Sequence, residues 1–429
     1  MLTDADIRNA TKTRAGAPDR ATGTATGTPG APVTTEARTH LALATVGLAI
    51  AFWAWGLISP LGPIYRQELG LSAAQKSLLV AAPLLVGSLG RIPAGALTDR
   101  YGARLTLPLI SFATAVPVLA LCLVHSYWPL VLVGLLLGIG GSFLAAAVPY
   151  ATAWFPPERR GLATGVLGLG TGGTALAIFL TPHFLRWFDD ANAMFYVVAA
   201  ALLLYGTAAA VLTRDAPGRP VPSGTFGRRL AAAARQTATV RLAMLSTVCV
   251  GAFVAMGAYL TTYFKDAYDL SQNDAATRTA LFLLVAVLFR PLGGALCDHT
   301  GPARVLVASF AACGAAAVGQ TFTPALAPWA TLAFLVLAAG IGLGCGAVLA
   351  LTVTVTGRDR LGTVTGLTGA AGGLGGSLPP LVLGFGSGET SAFALALLLL
   401  SCTALAAAFF TAHHLLGRGR EELADAIGA

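Results

Sequence analysis

From about residue 40 onward the chain repeats one pattern, an apolar run followed by a short polar turn. Twelve runs can be marked, near 40–62, 75–98, 104–124, 127–154, 160–186 and 192–213, then 242–265, 277–297, 303–322, 329–355, 361–385 and 391–415. A helix rising about 1.5 Å per residue crosses about 30 Å of hydrocarbon with roughly 20 apolar residues. The pattern therefore predicts an all-α polytopic membrane protein with twelve transmembrane helices. Residues 1–38, rich in Thr, Ala, Gly and Pro, read as a disordered tail. No short apolar core with a small-residue cleavage site follows them, so no secretory signal is expected. Residues 416–429 read as a second tail.

The polar positions carry a repeat of their own. Arg91-Ile-Pro-Ala-Gly95-Ala-Leu-Thr-Asp99-Arg100-Tyr-Gly102-Ala-Arg104 returns 199 residues later as Arg290-Pro-Leu-Gly-Gly294-Ala-Leu-Cys-Asp298-His299-Thr-Gly301-Pro-Ala-Arg304. Glu158-Arg-Arg-Gly161-Leu-Ala-Thr164-Gly165-Val-Leu-Gly168 returns at an offset of 201 as Asp359-Arg-Leu-Gly362-Thr-Val-Thr365-Gly366-Leu-Thr-Gly369. Two matches at nearly one offset imply two pseudo-symmetric six-helix halves, 39–213 and 242–415, joined by a polar loop at 214–241. Parallel halves of this kind describe the major facilitator fold, with a substrate site between them at the midplane.

Charge orients the chain. The joining loop holds Arg214, Arg219, Arg228, Arg229, Arg235 and Arg241 against one acid, Asp215, and the other arginine-rich turns have the same parity. Cationic loops stay inside, which predicts a cytoplasmic central loop, two cytoplasmic termini and a multi-pass place in the inner or plasma membrane. Composition agrees: 55% of residues are hydrophobic and 11% charged, where soluble domains carry about 25%. The net charge of +8 sits in loops and tails rather than in a basic patch interleaved with aromatics, so no nucleic-acid partner is expected. Six scattered cysteines form no CxxC pair and six histidines show no ligand spacing, so no metal or other cofactor is expected. A phosphate-cradling Gly-x-x-x-x-Gly-Lys-Ser/Thr motif is missing, which argues against ATP as the energy source. No nucleophile–base arrangement points to an enzyme.

Arg91 and Arg290 change the picture most. Each lies eight residues before its aspartate turn, roughly 12 Å into the membrane at about 1.5 Å per residue. A charge there costs at least ~2.5–3.5 kcal/mol and needs a partner, yet no Asp or Glu lies deep in any of the twelve runs. The bland alternative is that each arginine binds backbone carbonyls or snorkels to the surface. The symmetric pair favours a counter-ion that is itself the cargo. The planar guanidinium fork suits a small planar oxyanion.

The fifth run contains Gly165, Gly168, Gly170, Thr171, Gly172 and Gly173, and the eleventh Gly366, Gly369, Gly372, Gly373, Gly375 and Gly376. Glycine at this density weakens a helix but permits close helix packing. Trp55-Gly-Leu-Ile-Ser-Pro60-Leu-Gly-Pro63, Gly70-Leu-Ser-Ala-Ala-Gln75 and Gly87-Ser-Leu-Gly-Arg91-Ile-Pro resemble the nitrate/nitrite porter family of the major facilitator superfamily. The resemblance covers nearly all of the chain beyond the first tail, and the two glycine-rich runs look like the family's signature segments. It implies Arg91 and Arg290 as an anion clamp, with Gly170, Thr171, Gly372 and Gly373 beside it. Gly165, Gly168, Gly172, Gly366, Gly369, Gly375 and Gly376 would then be packing positions. Thr171 stands where the pattern has asparagine and Ser377 where it has an aromatic residue, which bears on the nitrate-versus-nitrite choice. Phe143 and Phe253 are candidates to wall the anion, with Phe52, Trp53, Trp55 and Tyr259 as further aromatics. Asp99, Arg100, Arg104 and Asp298 read as gating residues, with His299 expected to weaken the second latch.

The expected function is a monomeric secondary transporter of nitrate and/or nitrite by alternating access. Exchange is the simpler mode, because an anion between two guanidiniums favours the closed state; proton symport is the second. A drug or organic-anion exporter shares the fold, and a nitrate-binding membrane sensor would be expected to carry a soluble domain that these tails do not offer.

Overall fold

A computed structural model describes residues 33–188, 191–385 and 390–413, and side chains for all of these except 377–393. The sequence tails at 1–32 and 414–429 lie outside the described residues, as does the side chain of Ser377. The helical spans are α1 (Thr35–Glu68), α2 (Ala73–Tyr101), α3 (Ala103–Leu123), α4 (Tyr127–Ala153), α5 (Pro157–Phe188) and α6 (Asn192–Leu212). In the second half they are α7 (Thr237–Tyr268), α8 (Gln272–Thr300), α9 (Pro302–Thr321), α10 (Leu326–Val355), α11 (Leu361–Phe385) and α12 (Thr390–Thr411). On their described residues, eleven are long and apolar enough to cross a membrane; α11 is a 25-residue helix. A short helix, Phe226–Ala234, lies in the central loop.

The repeat seen in the sequence is also a repeat of backbone geometry. The turn before α2 has Gly70 at φ 62°, and its counterpart before α8 has Asp269 at φ 51°. Ser72 then caps α2, accepting from Gln75 N at 3.2 Å, as Ser271 caps α8 by accepting from Asp274 N at 3.2 Å. Gly102 and Gly301, which end α2 and α8, have φ of 87° and 85°, a region open to glycine at no steric cost. Packing repeats as well: α1 with α5, α2 with α4 and α3 with α6 correspond to α7 with α11, α8 with α10 and α9 with α12.

The halves meet through two equivalent pairs, α5 with α8 and α2 with α11. Both rely on glycine. A Cβ on Gly165 would come 2.6 Å from the Arg290 carbonyl oxygen, and one on Gly366 would overlap the Arg91 carbonyl. The repeat is not perfect. In the first half α1 breaks at Gly56–Leu57, α2 at Gly90 and α4 at Ser142, and α5 tightens to a 3₁₀ turn over Leu169–Gly172. The α8 helix runs unbroken past Arg290, α10 past Cys345 and α11 past Gly369.

Candidate functional site

Between the halves lies a cavity lined by Phe52 and Trp55 of α1, Arg91 of α2, Thr171 of α5, Ser246 and Phe253 of α7, Arg290 of α8, Cys345 and Thr352 of α10, and Thr365, Thr368 and Gly369 of α11. Both arginines are buried, 1% and 3% exposed. Among the described residues neither forms an ion pair with a carboxylate.

The local backbone explains why the two arginines are held differently. At the break in α4, Ala145 N donates to Ser142 O at 3.1 Å instead of reaching back a full turn. That leaves the Gly141 carbonyl to accept from Arg91 Nε at 3.0 Å. A second arm, Nη1, donates to Gly369 O at 2.7 Å across the boundary between halves. The counterpart of Gly141 is Leu343, inside the unbroken α10. Arg290 Nε accordingly has no hydrogen-bond partner among the described residues. Each guanidinium faces an aromatic ring: Arg290 Cζ lies 4.4 Å from the Phe253 centroid and Arg91 Cζ 5.6 Å from that of Trp55. Trp55 is itself fixed, its Nε1 donating to Pro83 O at 2.9 Å.

Several residues expected at the anion are placed elsewhere. Phe143 is fully buried against Tyr205, ring centroids 5.8 Å apart, and over Gly47, so it fills the core of the first half rather than the cavity. Gly170 packs on Thr45 and Leu48 of α1, Gly372 on Ser246 and Val250 of α7, and Gly373 on Ser88 of α2. The glycines that meet the arginine side chains are Gly168 and Gly369, where a Cβ would lie 2.9 Å from Arg290 Cδ and 3.0 Å from Arg91 Cδ. Gly375 and Gly376 pack on Thr247 and on Gly251 and Val254 of α7, and Gly172 meets only Val287, at 3.4 Å. Thr171 lines the cavity, but its hydroxyl already donates to Gly168 O at 2.7 Å.

At the face carrying the central loop, Asp99 accepts from Gly362 N and Thr363 N, each at 2.7 Å, and from Thr363 Oγ1 at 2.6 Å. Asp298 accepts from Gly161 N at 2.9 Å and Leu162 N at 2.8 Å. Each carboxylate thus sits on the N-terminal turn of a helix from the other half, where free N–H groups and the helix dipole favour negative charge. The second latch has one bond fewer because Leu162 stands where the first has Thr363. Arg100 and Arg104 are exposed, with Arg100 Cζ 5.4 Å from the Tyr101 ring. The arginine on the latch is Arg219 of the central loop, whose Nη1 donates to Asp99 O at 2.7 Å. Asp215, the one acid of that loop, accepts from Ala103 N at 2.9 Å at the start of α3. In the sequence Arg219 and Asp215 stand out only by charge; an acid alone among arginines is the signal for a specific partner.

A second cavity on the far side of the site is lined by Ser59, Val80, Thr174 and Gly257, and shares Trp55, Phe253 and Val254 with the central one. These three side chains stand between the site and the face opposite the central loop.

Comparison with known proteins agrees with this architecture. The family model described as Major Facilitator Superfamily matches residues 44–380. The chain is 43% identical over 379 residues to the "Probable nitrate/nitrite transporter NarK2" of Mycobacterium tuberculosis, covering 87% of this chain and 96% of that one. It is 32% identical over 372 residues to the "Nitrite extrusion protein" of Bacillus subtilis (strain 168), covering 86% and 92%. Among solved structures, the proton:xylose symporter XylE superposes with a TM-score of 0.72 at 17% identity, covering 88% of this chain and 96% of that one.

Proposed function

The chain belongs to the major facilitator superfamily and, within it, to the nitrate/nitrite porters, and we propose that it carries nitrate and nitrite across the membrane by alternating access. It is a multi-pass membrane transporter and not an enzyme. The observation that carries the substrate reading is the pair Arg91 and Arg290: two buried guanidiniums, one from each half, line one cavity with no carboxylate partner among the described residues. An oxyanion entering the cavity supplies the missing charge and lets both halves close around it.

This logic favours exchange. Without an anion, closure brings two uncompensated cations together in a low-dielectric site; with nitrate or nitrite between them the repulsion is cancelled. A carrier that crosses only when loaded swaps one anion for another. The names of the relatives support nitrate and nitrite as the cargo over larger organic anions. The central loop and both termini lie on the cytoplasmic side of the cell membrane, so the latched face is the cytoplasmic one, and the transporter works as a monomer without ATP.

Flux in proteoliposomes tests the proposal. Labelled nitrate is expected to enter when unlabelled nitrite or nitrate waits inside and to stall when neither does. Uptake driven by a pH gradient alone, with no counter-anion, replaces exchange by symport.

A further inference from the structure

Four threonines line the central cavity, and three have committed their hydroxyl proton to their own helix. Thr171 donates to Gly168 O at 2.7 Å, Thr352 to Val348 O at 2.8 Å and Thr368 to Val364 O at 3.0 Å, the ordinary back-bond of a helical threonine. Thr365 does not. It is 2% exposed, and its Oγ1 has no hydrogen-bond partner among the described residues. Its counterpart in the first half, Thr164, donates to Gly161 O at 2.8 Å.

Among the described residues, the other buried unpartnered polar atom in this cavity is Arg290 Nε. Its counterpart, Arg91 Nε, is satisfied by Gly141 O. Both orphans thus belong to the second half, and each departs from the bonding of its counterpart in the first. A buried donor left unmade is costly, and native structures hold few of them. Two in one cavity point to a ligand that accepts from both.

We propose that Thr365 is a specificity-determining ligand of the transported anion, donating its hydroxyl proton to one oxygen while Arg290 holds the others. The assignment rests on the cavity being the nitrate/nitrite site. A guanidinium binds side-on through Nε and one Nη, which occupies two oxygens. Nitrate presents a third oxygen and nitrite does not, so Thr365 favours nitrate. Valine at 365 keeps the shape and removes the donor; serine keeps the donor.

The test measures nitrate and nitrite KM in proteoliposomes, and the rise in melting temperature that each anion produces in detergent, for the parent protein, T365V, T365S and T164V. T365V is expected to raise nitrate KM roughly ten-fold or more and nitrite KM less than about three-fold, the span of one hydrogen bond to an ion. T365S and T164V are expected to stay near the parent, and anion-free T365V to melt no lower than it, because the valine deletes an unsatisfied group. Parental nitrate KM in T365V, or T365S as impaired as T365V, overturns the assignment and leaves the transport reading standing. A parent protein that moves neither anion overturns both, before any variant is compared.

Discussion

Asp99 and Thr363 are joined across the two halves by two hydrogen bonds to the same oxygen: Thr363 N lies 2.7 Å and Thr363 Oγ1 2.6 Å from Asp99 Oδ2. Among the described residues Asp298 has only backbone donors, Gly161 N and Leu162 N. The latched face is therefore fastened unequally. D99A removes three bonds, D298A two and T363V one. Each bond to a carboxylate contributes about 1.5–3 kcal/mol, so opening at this face should increase in the order T363V, D298A, D99A. Spin labels at Arg104→Cys and Arg358→Cys, both exposed, read the separation of the halves. The same distance distribution in D99A and the parent would remove the latch from the transport cycle.

The two arginines should respond differently to the same substitution. Lysine keeps the charge but loses the fork. At Arg91 the fork also ties Gly141 O to Gly369 O, so R91K should lower both transport and the melting temperature. Arg290 Nε makes no such bond among the described residues. R290K should raise nitrate KM roughly ten-fold or more, the loss of one charge-assisted hydrogen bond, with little change in melting temperature. Near-normal transport in both variants would overturn the anion clamp.

Much of this was readable from residues alone because the bilayer leaves few choices. A spanning segment must be a helix with its backbone satisfied internally, so apolar run lengths place the spans, and a charged residue inside one demands a reason. The spacing Arg91, Asp99, Gly102 and its copy point to a gating turn, and both aspartates lie on helix N-termini of the opposite half. What the residues could not convey was rotation and local breaks. Phe143 turns into the core of its own half beside the break at Ser142, and Gly170, Gly372 and Gly373 face neighbouring helices rather than the cavity. Thr365 looked like its repeat partner Thr164, and only the hydrogen bond that it fails to make separates them.

Phe253 should act through Arg290. With Cζ 4.4 Å from its centroid, the ring stabilises the desolvated cation by about 2 kcal/mol. F253L keeps bulk but loses the π face, and should raise KM for both anions by up to about thirty-fold on that scale; F253W should restore it. Equal KM in F253L and F253W would assign Phe253 to packing alone.

The glycines give the sharpest contrast, because they separate positions that look alike in sequence. At Gly366 an added methyl would overlap the Arg91 carbonyl, and at Gly165 it would come 2.6 Å from that of Arg290. Neither neighbour is a flexible side-chain end; both are backbone, so the helices must part. At Gly172 the same methyl meets only Val287 Cγ1, at 3.4 Å, ordinary contact. G366A and G165A should therefore hinder the halves from closing around the anion and reduce exchange about five- to a hundred-fold, since overpacking of about 1–3 kcal/mol falls directly on the closed state. G172A should transport at close to the parental rate and, by replacing glycine in a helical stretch, melt at the same temperature or slightly higher. The measurement is exchange flux with expression and melting temperature recorded for all three. If G172A failed as severely as G366A, the glycine density of the fifth span would reflect a need for flexibility rather than close contact between α5 and α8.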